Sequence, residues 1–124
     1  MAAIGTRFGR VILMVRGAEG VSRAVEFYNK AVGLSVARHT DDWAELLCDH
    51  GFILNLQAVS KEAQLSVGYS PMLSFEVKDM DSVVVKCTQM GAHLDGTIQY
   101  PAHGKVASVR TPDNHILGFY EPSV

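Results

Sequence analysis

The chain has 124 residues, 48% of them hydrophobic, and a formal net charge of −2. That length fits one ordinary domain or two small interlocked modules, and that apolar share excludes a disordered chain. The 11 basic residues are scattered among 13 acidic ones, so no patch can neutralise phosphates and no nucleic-acid partner is expected. No stretch approaches the ~20 apolar residues of a membrane span, so no membrane partner is expected either. Residues 1–10 lack the apolar centre of a secretory leader. Cys48 and Cys87 have no metal-type spacing, and two free thiols suit a reducing, cytoplasmic setting.

Residues 10–15, Arg-Val-Ile-Leu-Met-Val, form a short apolar run suited to a buried strand. Arg16 to Gly20 reads as a turn. Val21, Ala24, Val25, Tyr28 and Val32 then fall on one helical face, and Gly33 stops that helix. Strands follow at 34–37, 43–48 and 52–58, with turns at Asp41-Asp42 and Asp49-His50-Gly51. Residues 59–71 are polar and mixed, and read as a linker closed by Pro71. The order then repeats. Residues 72–77 form a strand, Asp79 caps a helix whose face carries Met80, Val83, Val84, Cys87 and Met90, and Gly91 ends it. Strands at about 97–100, 105–110 and 115–120 complete the second unit.

Matched landmarks make this an internal repeat. Val15 answers Val77, Gly33 answers Gly91, and Ala44 answers Ala107. The expected fold class is α+β, with two strand–helix–three-strand modules at 9–58 and 72–122 within one domain spanning 1–124.

The phrase from Ala24 to Leu34, with Phe27-Tyr28 and Gly33-Leu34, resembles the "FY…LG" helix end of the vicinal oxygen chelate superfamily, which includes glyoxalase I, bleomycin resistance proteins and extradiol dioxygenases. The phrase from Gly104 to Pro122, with Thr111-Pro112-Asp113-Asn114, looks like its "DPDGN" closing hairpin. The resemblance covers about residues 9–122. It implies two βαβββ modules whose curved mixed sheets surround a cavity, with helices outside, and association as a homodimer. It also implies a divalent metal held by the first and last strands of each module. Counting along the strands puts those four positions at Arg10, Asn55, Met72 and Gly118. Arginine offers no lone pair and glycine no side chain. A thioether suits soft metals, and one neutral amide oxygen does not hold a divalent ion. Shifting the register by one, to Gly9, Val11 or Leu73, restores nothing. No cofactor is therefore expected, except under the alternative below.

Strand alternation assigns the faces. With Arg10 and Met72 turned to the cavity, Ile12, Met14, Ser74 and Glu76 follow them. Val11, Leu13, Val15, Leu73, Phe75 and Val77 pack under the helices. The same rule puts Trp43, Glu45, Asn55, Gln57, Ser108, Arg110 and Tyr120 on the cavity side. Glu45 with Arg10, and Glu76 with Arg110, read equally well as charge pairs and as ligand contacts. His39, His50, His93 and His115 read as solvated turn residues. His103, in a loop that borders the cavity in the resembling family, is the one histidine marked as an acid–base group or ligand contact. The expected ligand-binding set is Arg10, Trp43, Glu45, Asn55, Gln57, Met72, Ser74, Glu76, His103, Arg110 and Tyr120.

Three functions are open to such a chain. The first is a metal-free binder of a small organic molecule, anionic if Arg10 clamps it through two parallel hydrogen bonds. The second is a glyoxalase-like lyase or isomerase, or a dioxygenase, with unusual ligands drawn from Glu45, Gln57, Glu76 and His103. The third is a structural subunit with a vestigial pocket.

Overall fold

The first strand, β1 (Val11–Arg16), runs straight into the first helix, α1 (Gly17–Phe27). The computed structural model describes Gly5 and residues 7–123. The segment read as a turn is thus helical from Gly17 onward. Gly17, at φ 62°, makes the change of direction in one residue. Gly20 lets the helix lie against the strand, since a Cβ there would come within 3.2 Å of Val15 Cβ. The helix widens into a π-helical stretch, Tyr28–Val32, and stops at Gly33, whose φ of 99° is left-handed.

Strands β2 (Ser35–His39), β3 (Trp43–Leu47) and β4 (Ile53–Val59) follow, and the sheet order is β1-β4-β3-β2. The second module repeats this plan with β5 (Leu73–Glu76), α2 (Met80–Gln89), β6 (His93–Leu94), β7 (Gly104–Arg110) and β8 (Ile116–Pro122), in sheet order β5-β8-β7-β6. In each sheet the first strand lies parallel to the last and the remaining pairs are antiparallel. Asp79 caps α2 by accepting from Ser82 N at 3.2 Å, and Gly91 takes φ 94°.

The expected strand at 97–100 is replaced by the two-residue β6 and one isolated bridge from Gln99 to Val106. Gly96, at φ 89°, turns the chain just ahead of this segment, and Pro101, which has no N–H to donate, follows it. Residues 59–71 hold the end of β4 and a short 3-10 turn at Glu62–Gln64. This stretch also covers an edge. Ser66 Oγ accepts from Met14 N at 2.8 Å, and Ser66 N donates to Met14 O at 3.1 Å, which occupies backbone groups of β1 that face away from β4.

Burial alternates with period two along β1, β3, β4, β5 and β7, whereas β2 is exposed throughout and Ile116–Phe119 of β8 are all buried. Leu13, Val15, Ala44, Leu46, Leu54 and Leu56 of the first sheet are buried, as are Phe75, Ala107, Val109, Leu117 and Phe119 of the second. They join Val21, Ala24, Phe27 and Tyr28 of the first module, and Met80, Val84 and Cys87 of α2, in one continuous core. Phe27 and Tyr28 meet edge to face at 5.6 Å. Each sheet therefore turns one face to the helices and leaves the other open.

His115 departs from expectation. It is 4% exposed, because the tight turn of the β7–β8 hairpin folds it inward. Thr111 Oγ1 accepts from His115 N at 3.1 Å, and Asn114 adopts φ 65°. His115 Nδ1 lies 2.9 Å from the Tyr28 hydroxyl, so a ring of the second module meets the helix end of the first. Beside it, Arg23 holds the Asp113 carboxylate through Nε at 3.1 Å and Nη2 at 2.5 Å.

Candidate functional site

On the first sheet the open face is built in rows. Glu45 lies opposite Asn55, and Asn55 opposite Ile12; Trp43 lies opposite Gln57, and Gln57 opposite Met14. Arg10 sits just ahead of β1 and bends back over this surface. Its Nη1 donates to Asn55 Oδ1 at 2.9 Å and lies 3.7 Å from the Glu45 carboxylate. Glu45 is largely covered, and Arg10 is half-exposed. Gln57 turns its amide to the carbonyls of Asp42 and Ala58, both at 3.4 Å.

The second sheet carries the matching rows. Ser108 lies opposite Gly118, and Gly118 opposite Ser74; Val106 lies opposite Tyr120, and Tyr120 opposite Glu76. Met72 folds over Gly118, where a Cβ would come within 2.9 Å of Met72 Cε and 3.5 Å of Ser74 Oγ. The Tyr120 hydroxyl donates to His103 O at 3.1 Å and lies 3.2 Å from His103 Nδ1. Arg110 does not pair with Glu76. Its Nη1 donates to Asn114 O at 3.3 Å, and its guanidinium lies 4.9 Å from the centre of the Tyr69 ring. Tyr69 was not among the expected residues. It falls in the segment read as linker, and no periodicity marks a loop residue that folds back on a sheet.

The expected set is thus divided between two surfaces. Arg10, Trp43, Glu45, Asn55 and Gln57 belong to the first sheet, and Met72, Ser74, Glu76, His103, Arg110 and Tyr120 to the second. A cleft of about 930 Å³ runs along β5 between Met72–Lys78 and the turn Cys48–Phe52. It takes in Met72, Ser74 and Glu76 and none of the first-sheet five. Phe52 and Phe75 meet edge to face at 6.2 Å beneath it.

The four counted metal positions do not fit a divalent cation. Arg10 Nη1 occupies the Asn55 amide oxygen, and Met72 fills the space over Gly118. Glu45 and Gln57 of the alternative set lie on the first sheet, Glu76 and His103 on the second. Among the described residues, no three His, Cys, Asp or Glu side chains gather closely enough to hold an ion. No helix among them is long and apolar enough to cross a membrane.

No family model matches the chain, and no curated protein matches it. Solved structures do. A glyoxalase/bleomycin resistance protein/dioxygenase family enzyme from Burkholderia phytofirmans is 15% identical, with 93% of this chain and 98% of that one covered and a TM-score of 0.75. A glyoxalase-related enzyme from Fulvimarina pelagi is 19% identical, with coverage of 94% and 88% and a TM-score of 0.71. The fosfomycin resistance protein FosX from Mesorhizobium loti is 14% identical, with coverage of 99% and 96% and a TM-score of 0.71. At these identities the likeness concerns the backbone, and it holds over nearly the whole length. The chain has the vicinal oxygen chelate fold.

Proposed function

We propose that this protein is a receptor for a small organic anion, that it works without a bound metal ion, and that a second copy of the chain completes its groove. The observation that carries this is the Arg10–Asn55 hydrogen bond, with Met72 packed on Gly118 at the matching place. A guanidinium has five N–H donors and no lone pair. Asn55 engages Nη1 and leaves the rest of the fork, a good geometric match for carboxylate or phosphonate oxygens. Glu45, at 3.7 Å, offsets part of the charge without making a close contact.

A second copy is inferred from the two open faces. Small-molecule sites cover most of their ligand, and one chain presents each polar row on a single wall. Ile12 is 49% exposed and Met72 48% exposed beside those rows. The free thiols Cys48 and Cys87 support a reducing compartment. The structural neighbour named for fosfomycin resistance is in keeping with a small-molecule ligand.

Elemental analysis of untagged protein is the direct test. Zinc, nickel, iron and manganese are expected well below one ion per chain, and one tightly retained ion per chain overturns the metal-free reading. Benzoate and simple phosphonates should raise the thermal midpoint, because a ligand bound only to the native state must stabilise it.

A further inference from the structure

We infer that His103 is the proton-accepting contact of the second sheet's open face, held by Tyr120 in one tautomer, and that the molecule bound there presents an acidic O–H or N–H to it. Only the ligand clause rests on the receptor reading above.

Tyr120 alternates along β8 with the buried Phe119, so its ring stands on the open face. The loop holding His103 is pinned on both sides. Gln99 and Val106 exchange backbone bonds at 2.8 and 3.0 Å, and Ser123 N donates to His103 O at 2.8 Å. Gly104 lets the phenol lean in, since a Cβ there would meet Tyr120 Cε1 at 3.0 Å and Glu121 O at 2.2 Å.

The Tyr120 oxygen then has two neighbours, His103 O at 3.1 Å and His103 Nδ1 at 3.2 Å. A phenol carries one proton, and a carbonyl oxygen only accepts. Giving the proton to Nδ1 would leave two oxygens facing each other with nothing between them. Giving it to the carbonyl satisfies both contacts, provided Nδ1 brings its own proton to the phenol oxygen. The neutral ring is therefore the Nδ1–H tautomer, set by its hydrogen bond as imidazole tautomers generally are. Nε2, on the far side of an exposed ring, has no partner among the described residues and offers a bare lone pair.

The test is ring nitrogen NMR on protein labelled with 15N-histidine, with the His103 signals identified by loss in His103→Gln. At alkaline pH, Nδ1 should resonate as the protonated nitrogen and Nε2 as the bare one. Tyr120→Phe should move the ring toward the Nε2–H form that unconstrained histidine prefers. A wild-type ring protonated at Nε2, or one unchanged in Tyr120→Phe, overturns the tautomer assignment. Diethyl pyrocarbonate should acylate His103 at Nε2 several-fold faster in wild type than in Tyr120→Phe, and equal rates count against it. For the ligand clause the probes, at the same pH, are phenol, which keeps its O–H there, and its methyl ether. The phenol should shift the Nε2 signal and the ether should not; equal shifts, or none with either, overturn the clause. A bound metal ion found by elemental analysis would leave the tautomer result standing, so the two failures are distinguishable.

Discussion

Arg10 Nη1 and Asn55 Oδ1 meet at 2.9 Å across 45 residues of sequence, and the corresponding pair of the second module, Met72 and Gly118, meets by van der Waals contact alone. One backbone plan, repeated, thus carries a cation with an amide in one copy and an apolar plug in the other. A molecule held between two such walls would place an anionic group on the first sheet and an apolar body on the second.

Arg10→Leu should therefore abolish the thermal shift produced by benzoate while leaving the unliganded protein nearly as stable as before. The side chain is 42% exposed and its ion pair to Glu45 is long, so a stability change within about 0.5 kcal/mol is expected. Losing a charged hydrogen bond to the ligand corresponds to about 1.5–3 kcal/mol of affinity. Arg10→Lys should keep part of the binding, since it retains the charge without the planar fork. Undiminished benzoate binding by Arg10→Leu, measured by calorimetry, would remove the guanidinium from the site.

The junction between the modules should be sensitive to mild acid. Burial holds the His115 imidazole below its ordinary pKa, against the opposing pull of the Asp113 carboxylate and the Met14 carbonyl. The other facing group is the Tyr28 hydroxyl, which burial keeps protonated; Arg23 is tied to Asp113. Because the folded value lies below the unfolded value of about 6.5, the unfolded chain binds more protons between the two. This stabilisation is fully present above about pH 6.5 and is lost as pH falls from there toward the folded value. Urea midpoints should begin to drop as pH falls below about 6.5, above the range of most carboxylates, and His115→Asn should flatten that drop. Equal slopes in the two proteins would show that His115 is not the group responsible.

Tyr28→Phe probes the same contact from the other side. It keeps the edge-to-face packing on Phe27 and removes the hydrogen-bond partner that His115 Nδ1 has among the described residues. Nε2 has no close hydrogen-bond partner among the described residues, and the Met14 carbonyl exerts only a weak pull on the ring. A buried Nδ1 left unpaired costs about 1–3 kcal/mol, read as a lower urea midpoint with an unchanged slope. A neutral substitution would mean that water reaches the imidazole.

Much of this architecture was legible in the residues, and the failures have local causes. Period-two alternation through Leu13, Val15, Leu54 and Leu56 marked the core face, and paired glycines at 33 and 91 marked both helix ends. Each signal reflects a constraint that a single residue must satisfy. Gly17 and Gly20 misled because glycine serves equally in a turn and in a helix packed tightly on a strand, and only the Val15 contact separates the two. His115 misled because its burial comes from a helix end 87 residues away, which no local pattern records. What the open face of each sheet meets was equally invisible, since alternation gives the face of a strand but not its neighbour.

The oligomeric state is the sharpest remaining measurement. Ile12 and Met72 are about half-exposed in one chain, so a charge at either position should leave folding intact, whereas a buried and unpaired carboxylate between two subunits is costly. Wild type is expected to sediment as a dimer at micromolar concentration, and Ile12→Glu and Met72→Glu as folded monomers with native circular dichroism. Those monomers should also lose the benzoate response, although Arg10 is intact, because the groove would lack its second wall. A monomeric wild type would undo the two-copy groove, leaving each open face as a single-walled surface. Dimers that tolerate both charges would do the same, by placing the subunit contact elsewhere on the molecule.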